Sequence, residues 1–392
     1  MSLFGLVKKL GIVIVLVSIV VPIRYGSIDV QYISIRLLHS MLSFRYMILG
    51  DQSRPTLSAD FLAFESIIRM KPPSDDDSSI DPLVTIEKLR SSFTLSSVIP
   101  KPSQCQIKEK VIDFDNHSVQ TFWIENHQHQ FQLESDKVLI YFHGGGYLLG
   151  DINGRKFLFK RLILSLLLLL LLFIGYSGIE CHFSNIFNMS IVHVEYRLAP
   201  EHPLPAAVDD AVAVYQSLLR DHLSPSQIVL MGDSAGGGLA LLTIQSLITR
   251  QLTIPAGVIS LSPWTDLSAS GESYIRNEKT DFMANTNNTK RLSPYLLPRN
   301  QSELSLNSSL VSPLFGSFQG FPPMYVIVAT TEILADDSKG IVKKAREVGV
   351  NVTFEEGLHL LHCYPLFFTY FPEARNSLSD INKWMNTIFY QN

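Results

Sequence analysis

Short apolar runs rich in β-branched residues recur along most of the chain. Strands that are covered on both faces show continuous apolar runs, whereas half-exposed strands alternate between apolar and polar residues. Helical stretches separate most of the runs, so the pattern predicts an α/β protein with a mainly parallel sheet covered by helices on both faces. The predicted strands lie at residues 137–142, 191–196, 228–231, 257–261, 324–329 and 351–355.

The N-terminal part of the chain has a different pattern. Apolar residues recur at helical spacing between residues 60 and 97, which predicts a helical cap that precedes the main domain. Residues 111–114 and 121–124 then predict an antiparallel pair of strands. We therefore divide the chain into an N-terminal segment (1–24), a linker and helical cap region (25–109) and a main domain (110–392).

The N-terminal segment resembles a membrane-targeting signal. Lys8 and Lys9 precede an uncharged apolar run at residues 10–23, which ends at Arg24. No small-x-small cleavage site follows, so we interpret the run as an uncleaved signal anchor with a lumenal main domain in the endoplasmic reticulum. Cleavage with secretion, or a buried helix, are the alternatives. Lumenal exposure also fits the N-x-S/T sequons at Asn116, Asn188, Asn287, Asn300, Asn307 and Asn351.

A leucine-rich tract separates the first two predicted strands of the main sheet. Residues 166–172 are seven consecutive leucines within an atypical insertion at about 162–184. This region is longer than a helix-and-turn crossover needs. We interpret it either as an inserted helix or as translated intron sequence. A second membrane span is disfavoured, because it would place strands of one sheet on opposite sides of a bilayer.

Composition narrows the possible functions. Of the 392 residues, 46% are hydrophobic and 17% are charged, and the formal net charge is -4 without any basic stripe. This balance favours an enzyme with a large core and some membrane attachment, and it argues against a nucleic-acid partner. The cysteines at 105, 181 and 363 show no metal-ligand spacing and allow at most one disulfide, so no metal site is predicted.

The strongest chemical signal is the sequence Gly232-Asp233-Ser234-Ala235-Gly236. It follows the apolar run 228–230 and precedes the apolar run 239–248. A strand, a glycine-rich turn and a helix form a nucleophile elbow, in which a sharp turn exposes the central serine. Ser234 is therefore predicted to be a covalent nucleophile.

A second glycine-rich turn follows the predicted strand at 137–142. Acyl transfer creates a negatively charged oxygen, and glycine lets bare backbone N–H groups approach that oxygen closely. We predict that the amides of Gly144 and Gly145, together with the amide of Ala235, form an oxyanion hole. His143, which precedes these glycines, is interpreted as a satisfied structural imidazole.

Together these motifs resemble the hormone-sensitive-lipase-like family of α/β hydrolases, over about residues 110–392. The resemblance rests on the HGGG sequence from His143, the YRLAPEHP sequence at 196–203, the serine elbow and the SPWTD sequence at 262–266. With its N-terminal segment, the chain also resembles the arylacetamide deacetylase branch, whose members are lumenal enzymes held by an N-terminal span. The resemblance implies an α/β-hydrolase fold and a Ser-His-acid mechanism without a cofactor.

The same resemblance suggests where the catalytic acid lies. The acid follows the serine in chain order, in a pattern that resembles D-P-L-x-D with the first acid catalytic. Residues 332–336 place Glu332 in that position, and glutamate can orient a histidine as aspartate does. Asp336 is the competing acid.

Two histidines compete for the role of the base. His359 and His362 both follow the last predicted strand. Counting back from the sequence that begins at Pro372 selects His362, which also lies just before an aromatic run at residues 364–371. We therefore predict His362 as the base and keep His359 as the alternative.

The predicted function is the hydrolysis of apolar acyl, aryl or lipid esters through an acyl-enzyme formed on Ser234. The expected partners are a small-molecule ester and a membrane, the latter through the N-terminal segment. An amide deacetylase with the same mechanism is one alternative. A non-catalytic small-molecule receptor on the same fold is the other.

Overall fold

The computed structural model describes residues 30–70, 80–92, 99–115, 117–126, 137–152, 176–299 and 304–390. Its strands are β1 (Cys105–Phe114), β2 (His117–Asn126), β3 (Val138–Phe142), β4 (Ser190–Glu195), β5 (Ile228–Asp233), β6 (Gly257–Leu261), β7 (Met324–Ala329) and β8 (Val352–Gly357). They form one eight-stranded sheet with the order β1-β2-β4-β3-β5-β6-β7-β8. The β1–β2 and β2–β4 pairs are antiparallel, and the other pairs are parallel.

Helices cover both faces of this sheet. Those in the described ranges are α1 (Val30–Leu49), α2 (Ala59–Arg69), α3 (Pro82–Ser92), α4 (Tyr176–Phe187), α5 (Ala206–Arg220), α6 (Ala235–Thr249), α7 (Ser273–Arg276), α8 (Thr286–Leu292), α9 (Ala335–Glu347) and α10 (Pro372–Tyr390). Side chains of a strand alternate between its two faces. In β3, Ile140 packs into the core that contains residues of α5 and α6, whereas Tyr141 packs into the core that contains residues of α4 and α10.

The predicted α/β class and the six predicted buried strands are confirmed, with end points shifted by no more than two residues. The opening hairpin of β1 and β2 is longer than predicted, because its outer strand is largely exposed and its apolar pattern is weak. Helix α1 was not predicted. In it Ile35 and His39 are buried while most other described side chains are not, so the sequence carries little helical periodicity.

The N-terminal helices pack on the segment that follows the sheet's last strand. In α2, Phe64 contacts Phe367 with ring centroids 4.9 Å apart. Ser58, the N-cap residue of α2, donates its hydroxyl to Glu373 at the start of α10 over 2.7 Å. These contacts join the predicted helical cap region to the main domain.

Two sequence predictions fall wholly or partly outside the described residues. The proposed signal anchor at 1–24 lies outside them, as do residues 153–175, which include the leucine run. Residues 176–184 of the atypical insertion belong to α4, whose Cys181 forms a disulfide with Cys105 of β1. Within the described ranges, no helix is both long enough and apolar enough to cross a membrane.

Candidate active site

The predicted site residues lie at the carboxyl ends of parallel strands. The glycine turn follows β3, Ser234 follows β5, Glu332 follows β7 and His362 follows β8. In an open parallel sheet these ends share one edge, where loops can bring distant residues together. The fold therefore collects all of the sequence-predicted residues on the same edge of the sheet.

Ser234 occupies a sharp turn between β5 and α6. Its φ of 53° and ψ of -120° lie in a region that residues other than glycine rarely adopt. A Cβ on Gly232 would overlap the backbone of Gly236, and a Cβ on Gly236 would overlap the backbone of Phe142. The turn can therefore form only with glycine on both sides of the serine, as the elbow motif predicted.

Backbone hydrogen bonds hold this turn against the loop after β6. The N–H of Ser234 donates to the carbonyl of Leu261 over 2.8 Å, and the N–H of Trp264 donates to the carbonyl of Ser234 over 2.9 Å. The side chain of Ser234 is partly exposed, although the residues on either side of it are buried. The turn thus presents the serine at the surface of a rigid core.

Glu332 and His362 form a close pair. The Glu332 carboxylate is fully buried, and its Oε2 lies 2.6 Å from His362 Nδ1. Its Oε1 accepts hydrogen bonds from the N–H of Ala329 over 2.6 Å and from the Ser262 hydroxyl over 2.7 Å. Because both oxygens have donors, the carboxylate keeps one orientation and accepts the Nδ1 proton of the imidazole.

The pKa of His362 reflects this environment. Burial opposes the charged imidazolium, but the neighbouring Cys363 and Glu332 outweigh it and raise the pKa of His362 well above its usual value. Burial raises the pKa of the Cys363 thiol to about 11, so that thiol is protonated near neutral pH. The ionised Glu332 carboxylate is therefore the charge that stabilises the imidazolium.

The second imidazole nitrogen of His362 contacts a thiol. Its Nε2 lies 3.4 Å from Cys363 Sγ. Among the described residues, no hydrogen bond joins this nitrogen to Ser234 Oγ. Hydrogen bonds between catalytic groups often tighten only when substrate is bound.

The competing acid and base have other partners. Asp336 accepts from the N–H of Ser273 over 2.8 Å and pairs with Arg276 over 2.7 Å. The backbone N–H of His359 donates to the Thr330 hydroxyl over 2.9 Å. Of these four side chains, those of Glu332 and His362 are in contact with each other, whereas the hydrogen bond of His359 involves only its backbone.

The glycine turn differs in one respect from the prediction. The Gly144 N–H donates to the Tyr176 hydroxyl over 3.0 Å and to Asp233 Oδ1 over 3.1 Å. Within the described residues, the amides of Gly145, Gly146 and Ala235 have no hydrogen-bond acceptor. Since the Gly144 donor is already used, we revise the predicted donor set to the latter three amides.

Sequence reasoning missed the role of Asp233. Besides Gly144, this carboxylate accepts the hydroxyls of Tyr141 over 2.7 Å and Tyr176 over 3.0 Å, and it is 3% exposed. It therefore ties the glycine turn to the elbow. An acidic residue at the end of a buried strand, directly before the nucleophile, was the available signal. Ser262 was also missed, because its contact with Glu332 spans 70 residues of sequence.

Known proteins resemble this chain in both sequence and fold. The profile of one family, described as an α/β hydrolase fold, matches residues 181–366. An esterase of Acinetobacter venetianus is 31% identical over 257 residues, which are 66% of this chain and 77% of the relative. An acetyl-hydrolase of Streptomyces hygroscopicus is 29% identical over 254 residues, which are 65% of this chain and 77% of the relative.

A solved structure has the same architecture. It is an esterase from the bacterial hormone-sensitive lipase family, with a TM-score of 0.66 and 26% identity. The match covers 85% of this chain and 99% of the esterase. The sequence and structural matches agree on one fold and on one class of reaction.

Proposed function

Because the chain belongs to the hormone-sensitive-lipase-like family of α/β hydrolases, we propose that it hydrolyses carboxylic esters with Ser234 as nucleophile, His362 as base and Glu332 as acid. That it is a carboxylesterase-like hydrolase follows from its relatives. One observation carries the residue assignments. A buried carboxylate lies 2.6 Å from His362 Nδ1, on the same edge of the sheet as the strained serine turn.

The proposed reaction has two halves. His362 Nε2 takes the proton of Ser234 Oγ while that oxygen attacks the ester carbonyl carbon. The tetrahedral intermediate then expels the alkoxide, which receives the proton from Nε2 and leaves as an alcohol. Water then loses a proton to the same nitrogen and attacks the acyl-serine. The second tetrahedral intermediate releases a carboxylic acid as Nε2 returns its proton to Ser234 Oγ. Glu332 remains ionised and stabilises the imidazolium in both halves.

The amides of Gly145, Gly146 and Ala235 are proposed to stabilise the oxyanion. Each is a backbone donor without an acceptor among the described residues. Ala235 is the first residue of α6, where the helix dipole also favours negative charge. Gly144 is proposed to position this loop through its hydrogen bonds to Asp233 and Tyr176.

The proposed substrates are esters with apolar acyl, aryl or lipid groups. Aromatic side chains pack around the segment that follows His362, as Phe64 of α2 does against Phe367 and Tyr370. These rings are buried in the core, where they hold the helical cap region against this segment. The apolar preference is the sequence-based expectation, and esters of graded length test it. An acetyl group, which the name of one relative includes, is the short end of the acyl range to be tested.

A fluorophosphonate probe tests the nucleophile directly. We expect the wild-type protein to be labelled and Ser234→Ala to remain unlabelled, with hydrolysis of p-nitrophenyl esters from acetate to laurate lost in that variant. His362→Ala should lose at least 10³-fold in kcat, whereas the matched variant His359→Ala should stay within threefold of wild type. A folded wild type that is not labelled would contradict the proposal and favour a non-catalytic receptor.

Paired substrates separate ester from amide hydrolysis. We expect hydrolysis of p-nitrophenyl acetate to exceed that of p-nitroacetanilide, because p-nitrophenolate leaves more readily than the much more basic nitrogen of the anilide. A higher kcat/KM on the anilide would instead assign the protein as an amide deacetylase with the same residues.

We also propose that the main domain lies in the secretory lumen and is attached to the membrane through residues 1–24. The Cys105–Cys181 disulfide fits an oxidising compartment. The sequon asparagines within the described residues are all exposed, namely Asn188, Asn287, Asn307 and Asn351.

In eukaryotic cells, glycosidase digestion should lower the apparent mass, and alkaline carbonate should leave the protein in the membrane pellet. An unglycosylated protein released into the supernatant would contradict both parts.

A further inference from the structure

A cluster of metal-binding side chains lies beneath the glycine turn, outside the proposed catalytic residues. His143 directly follows β3, at the start of that turn. His193 and Glu195 lie on β4, which pairs with β3. The nitrogen and oxygen atoms that these three residues offer lie within 4.8 Å of one another. Both histidines are fully buried, and the Glu195 side chain is 20% exposed.

The hydrogen bonds of both imidazoles leave Nε2 free. His143 Nδ1 lies 2.7 Å from the carbonyl of Gly144, which can only accept, so Nδ1 carries the proton. His193 Nδ1 lies 2.6 Å from Glu180 Oε1 and donates to that carboxylate in the same way. A histidine that donates Nδ1–H to a carbonyl or carboxylate presents a more basic Nε2 lone pair, which is the usual arrangement of metal-bound histidine.

Several buried polar atoms of this cluster have no hydrogen-bond partner. They are His143 Nε2, His193 Nε2 and Glu180 Oε2. His193 Nε2 and Glu195 Oε2 are 3.5 Å apart, which is too long for a strong hydrogen bond. Native proteins pair nearly all buried polar atoms, so the unpaired Nε2 atoms of His143 and His193, two members of the cluster, indicate a missing water or ion.

The two carboxylates of Glu180 and Glu195 need a neighbouring positive charge. His193 lies beside both of them, over 2.6 Å and 3.5 Å, which raises the pKa of its imidazole, so without an ion the His193 imidazolium balances part of their charge. A divalent ion would displace the Nε2 proton of His193 and take over this balance. Burial of charge without such compensation is costly.

We propose that His143, His193 and Glu195 bind a divalent transition metal ion, with Zn²⁺ as the best match. Two imidazole nitrogens and one carboxylate oxygen form a donor set suited to Zn²⁺, with a fourth position for water. Zn–N and Zn–O distances of about 2.0–2.2 Å require the ligand atoms to approach by roughly 1 Å. Glu195, the most exposed of the three, can supply this movement.

A route for the ion is present. Glu195 lines a surface cavity of about 370 Å³ whose wall also includes Asp151, Glu201 and His202. Arg90 also lines the cavity and pairs with Glu201 over 2.6 Å, so the wall carries three carboxylates and one guanidinium and keeps a net negative charge, which attracts cations. The ion would therefore reach the buried imidazoles through the Glu195 side of the cluster.

The ion would stabilise the loop that carries the proposed oxyanion donors. His143 directly precedes Gly144, whereas His193 and Glu195 belong to a different strand. Coordination would add a cross-link between β3 and β4 at the base of this turn. The structure thus assigns the metal a positioning role, and no chemical step passes through it.

Metal content of the full chain tests the proposal. The protein is purified without a polyhistidine tag, stripped with EDTA and titrated with Zn²⁺, or with Co²⁺ as a spectroscopic substitute. We expect the protein to bind one equivalent of Zn²⁺ tightly and its Tm to rise when Zn²⁺ is added. With Co²⁺ we expect a visible absorption spectrum typical of an ion with a low coordination number. Failure of the folded wild type to take up a stoichiometric ion overturns the proposal.

Variants locate the ion. Glu195→Gln and His193→Gln should each weaken Zn²⁺ binding at least tenfold and abolish the rise in Tm. His202→Gln, in the same cavity, and Cys363→Ala, beside His362, should bind as wild type does. Unchanged binding in Glu195→Gln, or loss of binding in Cys363→Ala, would place the ion elsewhere. Glu195→Gln keeps the side-chain shape at a partly exposed position, so it remains informative if His193→Gln does not fold.

Discussion

Replacement of Glu332 by glutamine is the sharpest test of the proposed acid. Glu332 Oε1 accepts from Ala329 N–H and from the Ser262 hydroxyl, so the glutamine carbonyl oxygen must occupy that position. The glutamine NH₂ group then faces His362 Nδ1 in place of Oε2, which lies 2.6 Å away. Since an NH₂ group can only donate, it forces the imidazole proton onto Nε2.

An imidazole with its proton on Nε2 cannot take the proton of Ser234. Glu332→Gln should therefore lower kcat by about 10³–10⁴-fold, which corresponds to ~4–5.5 kcal/mol of lost transition-state stabilisation. The substitution keeps the volume and two of the three hydrogen bonds, so Tm should fall by only a few degrees. The kcat on p-nitrophenyl butyrate, the rate of fluorophosphonate labelling and Tm measure these effects.

Asp336→Asn is the matched control, because Asp336 contacts Ser273 and Arg276 and has the same charge. It should retain kcat within threefold of wild type. A Glu332→Gln variant with kcat within tenfold of wild type, or an equal loss in Asp336→Asn, would refute the assignment of Glu332 as the acid.

Three further predictions concern pH, the glycine turn and the disulfide. Because the pKa of His362 is raised, the neutral base accumulates only as pH increases through that pKa. The midpoint of the acid limb in a plot of log(kcat/KM) against pH should therefore lie above the ordinary histidine value of about 6.5. A midpoint below that value would contradict the prediction. Asp233→Asn replaces one of two accepting oxygens with a donor group, so its free energy of unfolding should fall by about 1–3 kcal/mol and its kcat should also be lower. Tyr176→Phe should show a smaller decrease in both quantities. Replacing Cys105 and Cys181 with serine removes a cross-link between residues 76 apart and should cost up to about 4 kcal/mol in denaturant unfolding, and unchanged stability would mean that the disulfide does not form.

Local features of the sequence were sufficient for the secondary structure of the main domain. The apolar runs predicted β3 to β8 because a strand that is covered on both faces carries a continuous apolar run within its own residues. Helix α1 was not predicted because little of its surface is buried, so its sequence shows only a weak helical pattern of apolar residues. The glycines around Ser234 predicted a sharp turn because the turn motif itself is local in sequence, and Gly232 is restricted by the nearby backbone of Gly236. The restriction on Gly236 comes from the distant backbone of Phe142, which only the fold shows.

Contacts between distant residues needed the tertiary structure. The sequence placed Glu332 and His362 in the expected order after Ser234, but their pairing over 2.6 Å depends on the alignment of β7 with β8. In the same way, only the fold shows that Asp233 uses the Gly144 amide.

The serine turn and the α/β class were thus determined by the sequence itself, because each depends on short-range periodicity and turn chemistry. The chain order of the proposed catalytic residues could also be read from the sequence. The donors left free for the oxyanion, and the convergence of His143 with His193 and Glu195, were decided by strand register. His143 shows the difference most clearly. The sequence indicated a satisfied imidazole, whereas the packing of β3 beside β4 leaves its Nε2 buried without a partner.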